Sequence, residues 1–228
     1  YASYRWSSHD RQQKPSADVH GAAGRLGFSF NATYRDAEAY EAPAGTFGEI
    51  TLANDARVQQ SGVRDQHYSG QATVDLGGGH SVFGRYSRHE ADDAGFGYVD
   101  GQDLGDNSGT RIAITYPSQD VDRVTAGWRA TRLATGIADR LAVTGYATSN
   151  VRRFHLDVFI PFTPTAGLTS QLRNFTDLDT KGARVEAAKA IGGRHLLTYG
   201  VDWFRDVSEN TDTTTNTITG FGPPMVTR

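Results

Sequence analysis

Histidine, aspartate and arginine are the residues in this chain that could do chemistry, and their spacing decides which chemistry. There are seven histidines and no cysteine, so thiolate catalysis, disulfides and thiolate–metal sites are excluded. His89-Glu90 opens like a zinc-protease helix, but Ala91, Asp92 and Asp93 follow where a second histidine should close the motif. Gly95-x-Gly97 lacks a third glycine, and neither a nucleophile elbow nor a phosphate loop occurs. The chain is therefore read as a protein that is not an enzyme, with no catalytic residue and no cofactor.

Ligand recognition is the chemistry that remains. Imidazole is a common ligand of haem iron and of divalent metals. His89 and His155 stand at the starts of long polar stretches, where a ligand from outside would arrive. The adjacent Arg152 and Arg153 could attract an anionic chelate, and Tyr98 completes the set of candidate ligand-binding residues. Asp100, Asp103, Asp106 and Asn107 offer oxygen atoms at short spacing. They miss the terminal glutamate of a calcium loop, so a solvated loop is expected there.

What positions these residues is a series of strands. From 25 to 35 one face carries Leu26, Phe28, Phe30, Ala32 and Tyr34, and the other Arg25, Gly27, Ser29, Asn31, Thr33 and Arg35. Residues 67–76 and 123–131 alternate in the same way, setting Tyr68, Val74, Val124 and Trp128 against Gln71, Asp75, Arg123 and Arg129. Side chains of a strand point to opposite faces in turn, so period two means one apolar and one wet face. Weaker versions run through 1–8, 81–88, 140–148, 182–189 and 195–205. Phe83 and Tyr146 fall on the polar side of theirs.

The links between strands are of two kinds. Gly77-Gly78-Gly79, residues 134–139 and residues 191–193 are short; residues 36–66, 90–120, 150–177 and everything after Val207 are long and polar. The stretch 9–23 is expected to be a long link where a short one belongs. Structureless loops beyond about 12–15 residues are uncommon in compact domains, whereas short turns alternating with long loops are the rule in outer-membrane barrels.

Composition fits. Hydrophobic residues are 37% of the chain and aromatics 11%, as suits strands that bury a single face. A formal net charge of −3 gives no basic footprint for nucleic acid. No apolar run reaches the roughly 18 residues of a membrane helix. The expected architecture is all-β: an antiparallel up-and-down transmembrane β-barrel, about eight strands of which are seen, in a bacterial outer membrane. In such a barrel Tyr34, Tyr68, Trp128 and Trp203 suit an interfacial girdle. No signal-peptide pattern opens the chain, and it stops after Gly220-Phe221-Gly222-Pro223-Pro224. Both ends read as cut, so residues 1–228 are expected to be one barrel segment of something longer.

Three stretches resemble the central barrel of TonB-dependent receptors for iron chelates and haem: Tyr116-Pro117-Ser118-Gln119-Asp120-Val121-Asp122-Arg123, Thr176-Asp177-Leu178-Asp179-Thr180-Lys181-Gly182-Ala183-Arg184, and Arg194-His195-Leu196-Leu197-Thr198-Tyr199-Gly200-Val201-Asp202-Trp203. The resemblance implies a barrel of about 22 strands filled by a plug domain. It implies partners too: outer-membrane lipid, an extracellular metal chelate (siderophore or haem), and a TonB-type energy-coupling protein that pulls on a part not in this chain. The plug and the C-terminal strands are expected to lie outside residues 1–228. The alternative is a small eight-stranded barrel with an adhesion or structural role, since eight strands suffice to close one.

Overall fold

The computed structural model describes residues 1–105, 109–133, 135–220 and 225–227. Asp106, Asn107, Ala134, Phe221, Gly222, Pro223 and Pro224, named above, lie outside the described residues. Ten strands form one antiparallel sheet in near-sequential order: Ala2–Trp6 (β1), Gln13–Ala23 (β2), Leu26–Ala37 (β3), Val63–Gly77 (β8), His80–Gly95 (β9), Arg111–Ala130 (β10), Arg140–Thr163 (β11), Ala166–Ile191 (β12), His195–Thr219 (β13) and Met225–Thr227 (β14). Four short strands fold inside the β3–β8 connection. Glu41–Ala42 (β4) pairs with Ala56–Arg57 (β7), and Gly45–Phe47 (β5) with Ile50–Leu52 (β6). No helix occurs among the described residues. Every main-sheet pairing joins chain neighbours once the β4–β7 insertion is set aside, so the meander is up-and-down. It is not closed: β1 and β14 are its edges.

Register turns the alternation of single strands into continuous bands. Ala23, Leu26, Val74, Val82, Trp128, Val143, Val185 and Val201 are successive cross-strand partners from β2 to β13. Two residues along, the same face presents Gly21, Phe28, Ala72, Gly84, Ala126, Gly145, Ala183 and Trp203. The next band is Val19, Phe30, Gly70, Tyr86, Val124 and Ala147 before it meets Lys181 and Arg205. Nearer the turns lie Ala130, Leu141, Ala187 and Tyr199. Four bands about 7 Å apart make an apolar belt roughly 20–25 Å tall.

Only its turn-end band is covered, where Ala130 and Ala187 are buried and the Tyr199 hydroxyl donates to the Ile137 carbonyl at 2.6 Å; beyond that band nothing packs on the belt among the described residues. Val124 is 51% exposed, Val201 66% and Trp203 60%. The buried apolar residues are few and small, led by Ala130, Ala56 and Leu52.

The opposite face is wet near the turns. It carries Arg129 and Arg184, with Arg184 Nη2 lying 3.1 Å from Asp202 Oδ2. Phe83 and Tyr146, the two aromatics out of pattern, sit here over cross-strand glycines: Phe83 opposite Gly127 and Tyr146 opposite Gly182. A methyl group built on Gly182 would stand 2.4 Å from the Tyr146 ring. The missing side chain is the space the ring fills. Arg129 then lies over the Phe83 ring at 4.4 Å and Arg123 over Tyr146 at 5.7 Å. The segment 182–189, ambiguous between helix and strand by propensity, is strand within β12.

Four expectations are corrected. Ten strands rather than about eight make the main sheet. Residues 9–23 are not a long link: a turn at 7–12 leads into β2, and Gly24-Arg25 turns β2 into β3. The stretch 150–177 is not a loop either, because β11 and β12 run through it and turn tightly between Thr163 and Ala166. Likewise β13 extends well past Val207. The cause is a change of phase. On β11 the apolar positions are Leu141, Val143 and Ala147 near the turn, then Phe154, Leu156, Val158 and Ile160 farther out, on the opposite face. A period-two pattern that changes face reads as a break.

Candidate functional site

The far ends of the strands and the connections that leave them hold the candidate site. Within residues 38–62 the β5–β6 hairpin is nested inside the β4–β7 pair, and Leu52, Ala56 and Val58 are buried. Asp55 Oδ1 accepts the Ala44 amide at 2.8 Å, and the Val58 amide donates to the Tyr40 carbonyl at 3.0 Å. Backbone hydrogen bonds of 2.7 and 3.0 Å between Gln59 and Tyr98 tie this connection to the next one. Tyr98 thus meets the other chain segment through its main chain, while its side chain stays half-exposed.

Beneath that junction is a cavity of about 610 Å³ lined by Asp36, Glu38, Gln60, Arg64, Asp93 and His155, among others. Gln60 and Asp93 hold positive φ angles of 54°, a conformation that costs non-glycine residues of order 1–3 kcal/mol. Gly95 permits the crossing, since a Cβ there would meet the Gln60 carbonyl oxygen at 2.2 Å. Asp36 has Arg64 Nε at 3.8 Å, and Glu38 has Arg11 Nη1 at 3.4 Å. Among its charged side chains the carboxylates Asp36, Glu38 and Asp93 outnumber the single arginine, Arg64.

The five sequence candidates do not converge on one point. His89 lies within β9, half-buried, opposite His67 with ring centroids 6.3 Å apart. His155 lies in β11 opposite Thr115 and Arg173 and lines the cavity. β10 separates their two strands. Arg152 and Arg153 are neighbours on one strand and so point to opposite faces. Arg153 donates from Nη1 to Ser118 Oγ at 2.9 Å and lies over Phe175 at 5.6 Å. Arg152 lies over Tyr116 at 5.7 Å, with a buried Nε that finds no hydrogen-bond partner. Tyr116 in turn touches Phe154 at 5.3 Å and Phe96 at 5.8 Å.

This ring series, and the cavity floor at Asp36, Arg64 and Asp93, were not singled out from the sequence. Pro117 is the available signal: the β10–β11 register shifts across it, while the β9–β10 register runs past it unchanged. The Asp100 stretch forms a turn in which Asp100 Oδ1 accepts the Gln102 amide at 3.0 Å. No group of three His, Asp or Glu side chains comes together to hold a metal ion among the described residues.

No protein-family model and no curated protein matches the chain. Among solved structures, the FrpB iron transporter from Neisseria meningitidis (F3-3 variant) is similar, with a TM-score of 0.45 and 10% sequence identity. The match covers 92% of this chain and 42% of that one, so the chain spans less than half of that transporter's length.

Proposed function

We propose that these strands form part of the wall of a transmembrane β-barrel in a bacterial outer membrane, within an active-transport receptor that takes up a metal chelate. The belt supports this reading. In water an uncovered apolar face of this extent is a liability; in hydrocarbon it costs nothing, and its height matches the roughly 25 Å apolar band of outer-membrane barrels. Tyr34 and Tyr68 stand toward its loop end and Trp128 toward its turn end, as girdle residues do. No helix is long and apolar enough to cross a membrane, but strands cross by other rules.

Hydrocarbon offers no partner to a backbone amide, so sheet edges there must be paired. The outer edge of β13 is paired only at Asn216–Ile218, through β14, and β1 pairs over just five residues. The sheet is open along both edges, and we assign these edges to pairing with further strands of a large receptor barrel rather than to a small adhesion or structural barrel.

The ligand in this reading is a siderophore or haem. It meets the loop-end residues His89, Tyr98, Arg152, Arg153 and His155, and a TonB-type protein supplies energy through a part outside this chain. Two experiments test it. Envelope fractionation should recover the intact protein in the outer membrane as a heat-modifiable band; recovery in the soluble fraction overturns the barrel. A deletion strain should fail to grow on one iron chelate as sole iron source. Equal growth on all chelates overturns the receptor.

A further inference from the structure

Where the apolar belt ends toward the loops, the first charges on β9 and β10 are matched. Arg88 Nη1 lies 3.1 Å from Asp122 Oδ2, and Arg88 also pairs with Glu90. On β12 and β13 they are not. Lys181 and Arg205 are direct cross-strand partners on the belt face, and both are exposed. Neither forms an ion pair among the described residues. Like charges directly opposite one another destabilise a sheet, so the pair stands at a cost that a bridging anion would relieve.

Position says which anion. Lys181 stands ten positions before Ile191, the last residue of β12, and Arg205 ten positions after His195, the first of β13. A barrel strand crosses hydrocarbon in about 9–11 residues, which brings both cations out at the level of the lipid phosphates. Between them and the turns the belt face is Ala183, Val185 and Ala187 on β12, and Leu197, Tyr199, Val201 and Trp203 on β13, with Lys189 beside the turn already paired to Asp139. An indole one step inside the cations is the usual neighbour of headgroups. The carboxylates on this face, Asp179, Asp177 and Glu209, lie farther out toward the loops.

We infer that Lys181 and Arg205 together clamp the phosphate of a lipid headgroup in the leaflet on the loop side. The guanidinium offers a two-pronged fork and the ammonium a compact charge from the facing strand. A lipid is favoured over a free anion because its acyl chains lie along the belt while its phosphate meets the cations. The inference rests on the membrane reading above.

The test uses the intact protein in neutral maltoside micelles, with native mass spectrometry counting bound lipid. The probes are phosphatidic acid, phosphatidylcholine of the same chains, and inorganic phosphate. Phosphatidic acid should be retained over phosphatidylcholine. Lys181→Gln and Arg205→Gln should each weaken its retention about 5-fold and the double variant about 30-fold, with Lys181→Arg close to wild type. Equal retention by the double variant overturns the clamp, as does displacement by an equal concentration of inorganic phosphate. If the protein instead fails to enter micelles or bilayers as a folded barrel, the membrane reading itself fails and the clamp with it.

Discussion

Phe83 lies against the backbone of Gly127 across the β9–β10 pair, so close that a Cβ on Gly127 would stand 2.6 Å from the ring edge. The same Cβ would stand 2.6 Å from the Val143 carbonyl oxygen. The ring can turn aside but the carbonyl belongs to a paired strand. Gly127→Ala should therefore destabilise the fold by about 1–3 kcal/mol, the range for overpacking. Denaturant unfolding in micelles, with Gly84→Ala as reference, measures this; Gly84 has open space where its Cβ would be. Equal midpoints for the two variants would show that the ring does not depend on the missing side chain.

The connection between β10 and β11 is fastened to β12 by Asp139. Its carboxylate accepts Lys189 Nζ at 2.7 Å and the Ala190 amide at 2.8 Å. The Lys189 hydrogen bond, then the amide, holds the Asp139 carboxyl below its ordinary value of 3.8. A carboxyl whose folded-state pKa is depressed contributes stability that is fully present above its unfolded value and is lost as pH falls through the folded one. Wild type should thus exceed Asp139→Asn in unfolding midpoint at neutral pH, with the gap closing below pH 3.8. A gap that persists unchanged in acid would assign the effect to something other than this charge.

Topology fixes which connections share an end. Residues 24–25, 77–79, 131–133, 135–139 and 192–194 must lie together, and 38–62, 96–105, 109–110 and 164–165 at the other end. The chain has no cysteine, so single replacements report cleanly. An impermeant thiol reagent on intact cells should label Glu49→Cys in the β5–β6 turn and leave Gly136→Cys unmodified. Labelling of Gly136→Cys alone would reverse the orientation.

What could be read in the sequence, and what could not, follows the reach of each interaction. The faces of 25–35, 67–76 and 123–131 were legible because each strand keeps one phase over its length. The outer halves of β10 to β12 were not. There the apolar side changes between Ala147 and Phe154, and only cross-strand register shows that both belong to one strand. Phe83 and Tyr146 looked misplaced for the same reason: their partners are glycines about 40 residues away in the chain. His155 could be nominated as a polar residue near a strand end. The cavity it lines is built from β3, β8, β9 and β10 together, and no local pattern announces that.

The separation of lipid from water is tested most directly at two adjacent residues. Phe28 belongs to the belt, between Gly21 and Ala72, and is 44% exposed. Ser29 points the other way, between His20 and Gln71. Alternation alone would nominate Gln71 as the wet-face control. Its Oε1, however, accepts Arg85 Nε at 3.1 Å, and an arginine there would face Arg85 directly. Ser29 faces no lysine or arginine in either pairing and avoids that clash. Arginine facing hydrocarbon near the midplane of a barrel costs about 2–4 kcal/mol, whereas facing a hydrated interior it costs little. Phe28→Arg should therefore impair folding into bilayers by that amount, and Ser29→Arg should fold as wild type does. Because a slip of one residue exchanges the two faces everywhere at once, the pair reports on the whole sheet. If Ser29→Arg is the variant that fails, the belt faces a protein interior and the wet face meets lipid. If both fold equally well, neither face meets lipid.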